Sequence, residues 1–354
     1  MNPGSAPPQR WMVLKMRGKS AVPALPKTLT PIQYERLSTG SDRPRSLWSR
    51  WSAIVVVAIL TLWGFFTVLN ALFLVDTEDG VTFVSPSFQG QGFTVRMNTW
   101  RRNDLLKKSV EHFGSCSSVQ QVQVIWSDQE NSPPPLSFFA EGIKSKVFFE
   151  MHDSNSLSHR FHIIMPVETD GVFSVDDDVI IPCDDLQFAF ETWLLSPSTM
   201  VGFHPRLVTH NTYTGKYSYL PSRYVFWTGI YNSVLTKASF LHKDHLVAYG
   251  ERVPQRVLDY IDEHRNCEDL AMAFVVARMS NLPPIWVKSK VTEIGNTGIS
   301  SAGHRHFLAR SKCIDFFVGE FGNMPLIRTK GKKVQLTSGL LAFLFGGQVW
   351  GARI

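Results

Sequence analysis

Read for its apolar and polar positions, the chain changes character at residue 75. From Ala53 to Val75 no side chain is charged, a run long enough to cross a bilayer as one helix. Beyond it the pattern switches between periods of two and of three to four. Residues 93–97 alternate as a half-buried strand does. Residues 100–113 then set Leu105, Leu106, Val110 and Phe113 on one helical face, with Asn103 or Asp104 to cap it. Strands follow at 122–126 and 146–150, and an apolar, β-branched run begins at Gly171. Leu186, Phe190, Trp193 and Leu194 mark a helix over 184–195. Leu270, Phe274 and Ala277 mark another over 265–277, with a strand after Pro283 and Pro284. Strand, helix, strand, loop, strand is the start of an α/β unit of nucleotide-binding type.

Composition and charge refine this picture. The 354 residues allow one large or two small domains, and 44% hydrophobic residues suffice for a core. Much of the net charge of +6 is local: the first 50 residues hold nine Lys or Arg against Glu35 and Asp42, punctuated by Pro3, Pro7, Pro8 and Pro23. That composition reads as a disordered basic tail, so a pI near 9.1 is no nucleic-acid signal, and no phosphate-and-stacking motif accompanies it. Arg43, Arg45 and Arg50 precede the apolar run; Asp76, Glu78 and Asp79 follow it. The positive-inside rule then puts the N-terminus in the cytosol and the rest outside it. A cleavable signal peptide fits less well, because the basic leader is long and no small-x-small site follows. In an oxidising compartment Cys116, Cys183, Cys267 and Cys313 are free to form disulfides. They lack CxxC spacing, which disfavours zinc, and spacing alone leaves their pairing open.

The sharpest concentration of chemistry is Phe173-Ser-Val-Asp-Asp-Asp-Val-Ile180. In an open α/β sheet, ligands sit at the carboxyl ends of strands. Asp176, Asp177 and Asp178 would repel one another there unless a cation compensates them, and oxygen ligands suit Mg²⁺ or Mn²⁺ on a diphosphate. The plainer reading is an acidic turn that opens the next helix. Arg160 is a phosphate or carboxylate partner, or a solvated arginine. Glu268 and Asp269 read first as helix-start acids favoured by the macrodipole. His304 and His306, after a Gly-rich loop, read as loop residues lacking a third metal ligand. Gly90-Gln-Gly92 precedes the first strand and is no dinucleotide fingerprint; no Gly-x-Ser-x-Gly elbow points to a serine hydrolase.

Four segments in order resemble the glycosyltransferase domain of exostosin-like proteins, glycosyltransferase family 64: the Asp triplet, Met200-Val-Gly-Phe-His-Pro-Arg206, Asn266-Cys-Glu-Asp-Leu-Ala-Met-Ala-Phe274 and Arg310-Ser-Lys-Cys313. The resemblance runs from about Phe93 to Pro325. Phe226-Trp-Thr-Gly-Ile-Tyr231, Ile285-Trp-Val-Lys288 and the loop from Glu293 resemble the short plant members, the glycosylinositol phosphorylceramide mannosyltransferases. It implies a GT-A fold, a Rossmann-like mixed sheet preceded by a single transmembrane helix, with a nucleotide-sugar donor, Mn²⁺, retention of configuration and a Golgi-lumenal catalytic domain. Position by position it implies Asp178 as metal ligand, with Asp176 and Asp177 toward sugar, ribose or metal water. Arg102, Asn155 and Arg160 would contact the donor, with Ser127 where animal members carry Asn. It also implies Asp269 and Arg310 beside the reacting sugar, and a Cys267 to Cys313 disulfide.

The resulting expectation is a single-pass type II Golgi membrane protein. Residues 1–52 form a cytosolic tail, 53–75 a signal anchor, 76–92 a stem, 93–335 the transferase domain and 336–354 an atypical tail. Its expected function is mannose transfer from GDP-mannose to glycosylinositol phosphorylceramide, without a nucleic-acid partner. The alternatives are a UDP-N-acetylhexosamine transferase of the exostosin-like type and a catalytically silent, membrane-anchored binding module.

Overall fold

The computed structural model describes residues 54–65, 91–295 and 304–334. The chain divides into two units, Met1–Thr82 and Phe83–Ile354. In the first, residues 54–65 are helical and expose nearly all their side chains. No described helix is long and apolar enough to cross a membrane. The remainder of the expected 53–75 span, the tail before it, most of the stem and the 336–354 tail lie outside the described residues.

The second unit is built on an eight-stranded sheet. Its first half comes from β1 (Phe93–Thr99), β2 (Val119–Trp126), β3 (Val147–Met151) and β4 (Gly171–Asp176). After the short β5 (Val179–Ile180) come β6 (Val201–Gly202), the hairpin β7 (Pro205–Asn211) and β8 (Lys216–Leu220), then β9 (Ser233–Val234) and β10 (Ala238–His242). The last are β11 (Ile285–Lys288), β12 (Thr292–Glu293) and β13 (Lys332–Val334). The main sheet runs β13-β11-β6-β10-β4-β1-β2-β3. β1 pairs in parallel with β2 and β4, and β2 with β3; β10 alone is antiparallel to both its neighbours, β4 and β6. This is a mixed, mostly parallel sheet of Rossmann-like character. Parallel pairing brings the carboxyl ends of four consecutive strands to one edge, where the loops that follow them converge.

The helices are α1 (Asn103–Ser115), α2 (Cys183–Leu194), α3 (Ser222–Thr228), α4 (Lys243–Arg252), α5 (Gln255–His264), α6 (Glu268–Ser280) and α7 (His304–Phe321). On one face of the sheet, Phe93, Val95, Met97 and Phe173 pack with Leu106, Val110 and Phe113 of α1 and Leu186, Phe190 and Trp193 of α2. Gly171 permits this: a Cβ there would lie 2.9 Å from the Trp193 ring and 3.0 Å from Phe190. A second cluster gathers α4 to α7 with Leu207, Val208 and Tyr219 of the hairpin. A Cys116–Cys183 disulfide joins the end of α1 to the start of α2 across 67 residues, a closure worth roughly 4 kcal/mol in a chain-entropy account.

Several expectations need correcting. β1 is buried on both faces, Thr94 and Arg96 included, because the 3₁₀ turn Leu157–Phe161 covers the face that alternation assigns to water. Neither Asn103 nor Asp104 caps α1; its N-cap is Arg102, without a side-chain cap. α6 is buried from Asp269 to Ala277 rather than along one stripe, since it runs through the second cluster. His304 and His306 belong to the first turn of α7, not to a loop.

Candidate active site at the carboxyl end of the sheet

β1 to β4 end together, and so deliver Arg101 and Arg102, Ser127 and Asp128, the 152–160 segment, and the Asp triplet to one edge. Asp176 is the last residue of β4, and Asp177 and Asp178 form the turn into β5. The turn gives the three carboxylates different surroundings. Asp177 is fully buried: Thr99 Oγ1 donates to its Oδ2 at 2.6 Å, Arg102 donates to Oδ1, and Ser109 Oγ donates to its main-chain carbonyl at 2.6 Å. Burial pushes its carboxyl up to about 7 against the pull of Thr99 and Arg102. Asp176 and Asp178 remain partly exposed, at 27% and 20% of their side chains. Arg102 also donates to Asp178 Oδ2 at 3.0 Å, so one guanidinium spans two of the triplet.

Arg160 meets Asp176. It is buried, at 4% exposure, and not the solvated arginine of the plainer reading. Burial opposes its charge, but the fields of Asp176, Glu268 and Asp269 more than offset this and raise its pKa. Its backbone is fixed from below. Arg96 donates to the Arg160 carbonyl at 3.2 Å, to the His162 carbonyl at 2.8 Å, to Gln123 Oε1 at 2.6 Å and to both oxygens of Glu150 at 2.8 and 3.0 Å.

The expected nucleotide residues are drawn into protein contacts. Ser127 Oγ and His159 Nδ1 lie 3.2 Å apart, and the His159 ring stacks on His152 with centroids 4.1 Å apart. Burial, then the neighbouring His152, lowers the His159 pKa to about 4, so the ring is neutral near pH 7. Arg265 donates to the Asn155 carbonyl, and to its Oδ1 at 2.7 Å. Arg265 adopts φ 50° at the corner between α5 and α6, and so couples the Asn155 loop to the start of α6.

α6 and α7 form the second wall. Arg310 donates to Asp269 Oδ1 and, at 3.2 Å, to Asn266 Oδ1, while the Leu270 amide donates to Asp269 Oδ1 at 2.8 Å. The side chains of Asp269 and Arg310 are 8% and 7% exposed, and the guanidinium lies 4.7 Å from the Tyr219 ring centre. Cys267 and Cys313 are bonded, two residues before Asp269 and three after Arg310, tying the two helices covalently beside this pair. Glu268 is partly exposed and forms no hydrogen bond or ion pair among the described residues. Burial and then Asp269 raise its pKa, countered by Arg160 and Arg310.

The structure therefore brings Arg102, Asp177 and Asp178 into one cluster, Arg160 and Asp176 into a second, and Asp269 and Arg310 into a third. Arg160 links the last two, through Asp176 on one side and the field of Glu268 and Asp269 on the other. Sequence reasoning missed Arg96, His159, Arg265 and the partly buried position of Glu268 beside Arg160 and Arg310. Only Arg96 left a signal, as a charge inside an otherwise apolar strand.

Comparison with known proteins is consistent with this architecture. A family model described as the glycosyl transferase family 64 domain matches residues 93–337. The chain is 43% identical over 264 residues to glycosylinositol phosphorylceramide mannosyl transferase 1 of Arabidopsis thaliana, covering 69% of this chain and 76% of that one. It is 33% identical over 269 residues to exostosin-2 of Homo sapiens, covering 75% of this chain and 35% of that one. With glucosamine inositolphosphorylceramide transferase 1 of Oryza sativa subsp. japonica it shares 27% identity over 334 residues, 90% of this chain and 44% of that one. This chain belongs to glycosyl transferase family 64 and is a glycosyltransferase.

Proposed function

We propose that the enzyme is a retaining, GT-A-fold mannosyltransferase that transfers mannose from GDP-mannose to the headgroup of a glycosylinositol phosphorylceramide. One observation carries the reading: 43% identity over 76% of an Arabidopsis protein whose name states that sugar and that acceptor. The rice relative's name gives glucosamine instead, yet shares inositolphosphorylceramide. Support is therefore broader for the acceptor class than for the sugar.

The residues at the end of β4 fit Mn²⁺. Carboxylates are hard oxygen donors, and Asp176 and Asp178 stay partly exposed on either side of the buried Asp177. Among the described residues the three carboxylates form ion pairs only with Arg102 and Arg160, which leaves negative charge that an incoming diphosphate would worsen. Asp178 is the residue assigned to hold the ion, whose chemistry when bound is charge compensation of the leaving diphosphate. Arg160, preorganised by burial and by Arg96, and Arg102 supply further positive charge at the same place. Asp269 Oδ1 is committed to Arg310 and to the Leu270 amide, a fixed negative charge suited to stabilising an oxocarbenium-like sugar. The departing phosphate is then the base that takes the acceptor's proton.

In this reading residues 53–75 anchor the chain with its N-terminus in the cytosol, and the domain is a type II protein of the Golgi lumen. The two disulfides, which leave no cysteine free, support an oxidising compartment. The test is a donor panel with the full-length enzyme, Mn²⁺ and inositol phosphorylceramide acceptors. Mannose transfer from GDP-mannose is expected. Turnover of UDP-N-acetylhexosamines with GDP-mannose silent overturns the choice of donor.

A further inference from the structure

Outside the clusters at the end of β4, one surface joins exposed aromatic rings to cations without ion pairs among the described residues. α3 buries only Val225 and turns Tyr224, Phe226 and Trp227 outward, at 45%, 62% and 90% exposure. Beside it runs Arg328-Thr-Lys-Gly-Lys-Lys333, with four cations and no acid. Arg328, Lys330, Lys332 and Lys333 are all exposed, and neither they nor Arg223 form an ion pair among the described residues.

The two stretches form one patch. Thr329 pairs with Tyr231, just beyond α3, through backbone hydrogen bonds of 2.9 and 3.0 Å. The Phe226 ring lies 5.5 Å from the Trp286 ring, and Lys332 Nζ lies 5.8 Å from that same ring. Arg223 sits 5.7 Å from the Tyr224 ring centre. Lysines on an edge strand ordinarily guard it against pairing with another chain. That accounts for Lys332 and Lys333 on β13, but not for a tryptophan left 90% exposed on the neighbouring helix.

Rings that rest at headgroup level, rimmed by Lys and Arg, are the composition of a membrane-interface surface. We propose that this face docks the catalytic domain onto an anionic bilayer surface. Charge complementarity selects that occupant. Residues 335–354, which follow β13, contain no Asp or Glu, so this segment offers no acidic side chain to answer the cations, whereas anionic headgroups supply negative charge. The inference depends neither on the identity of the donor nor on residues 53–75 spanning a membrane.

All four native cysteines are paired, so Trp227→Cys in the full chain accepts a polarity-sensitive fluorophore at a unique thiol. The probe is read with vesicles of phosphatidylcholine alone and of phosphatidylcholine with phosphatidylserine. A blue shift larger on the anionic vesicles is expected. Lys332→Gln with Lys333→Gln removes that increment, raising the lipid needed for half the shift roughly 25-fold at about fivefold per cation. A label at Ser145→Cys, in the 3₁₀ turn that precedes β3 at the opposite sheet edge, stays unchanged. An unchanged Trp227 label, or a shift that survives the double lysine variant, overturns the proposal. So does an equal response to polyglutamate without lipid, which points to an acidic protein partner, or a shift that grows with protein concentration alone, which points to a second copy. A label already blue without vesicles that turns red on deleting residues 335–354 overturns it in favour of the chain's own tail.

Discussion

Arg96 Nε donates to the main-chain carbonyl of Arg160 at 3.2 Å, so an arginine buried within the first strand holds the arginine that meets Asp176. Arg96 and Glu150 are 0% and 1% exposed. Removing one member of such a pair strands the other charge in the interior. Glu150→Gln is therefore expected to cost about 3–5 kcal/mol, measured by urea unfolding. A loss under about 1 kcal/mol, the range of a surface ion pair, counts against this role.

The same pair sets a dependence on acid. Burial alone would raise the Glu150 pKa, but hydrogen bonds from His152 and Arg96 outweigh it and hold the carboxyl at about 2, against an ordinary 4.5. A depressed folded pKa means that the stabilisation is complete above about pH 4.5 and is lost as pH falls toward 2. Unfolding free energy measured between those limits falls more steeply for the native enzyme than for Glu150→Gln. Equal slopes would remove Glu150 as the cause.

Much of the donor end was legible because its signals are local. An apolar run that stops at Asp176 reads as a strand end, and parallel strands put such ends together. Arg96 was not legible as a hub: alternation in 93–97 assigns it to water, and the cover on that face comes from Leu157–Phe161, far along the chain. Arg160 is a candidate from sequence, but the fields that offset its burial come from Asp176, Glu268 and Asp269, on separate elements. Asp177 is indistinguishable from its neighbours in sequence, because a triplet carries no indication of which member points inward. The turn after β4 decides that. The short antiparallel β10 carries little periodicity, so its insertion between β4 and β6 emerges only from the pairing.

The Cys267–Cys313 disulfide closes a separation of 46 residues and brackets Asp269 and Arg310. Cys267→Ser with Cys313→Ser is expected to lower stability by roughly 4 kcal/mol. Because the bond ties α6 to α7 beside the sugar wall and not at the Asp triplet, kcat should fall more than donor KM rises. A pure stability loss with kcat intact at low temperature shows that the bond does not position the pair.

Arg310 contacts Asp269 and Asn266 through two different nitrogens of one planar fork. Lysine keeps the charge and loses the fork. Arg310→Lys should reduce kcat by about a hundredfold to a thousandfold, the usual cost of a preorganised electrostatic donor, with the fold retained by circular dichroism. Near-native turnover in that variant shows that charge alone suffices.

Asp177 and Asp178 separate structure from metal. Asp177 accepts from Thr99 and Arg102 while fully buried, and Asp178 stands partly exposed. Asp177→Ala leaves the Thr99 hydroxyl and part of the Arg102 guanidinium unsatisfied, and is expected to cost about 2–3 kcal/mol whether or not Mn²⁺ is present. Asp178→Ala relieves repulsion within the triplet and should leave the unfolding midpoint without metal within a few degrees of native. It should also abolish the rise in midpoint that Mn²⁺ with nucleoside diphosphate gives the native enzyme. Thermal unfolding of both variants, with and without Mn²⁺ and GDP, decides the matter. If Asp177→Ala removes the metal response and Asp178→Ala keeps it, the two roles are reversed, and Asp177 must swing out of its buried position when the donor binds.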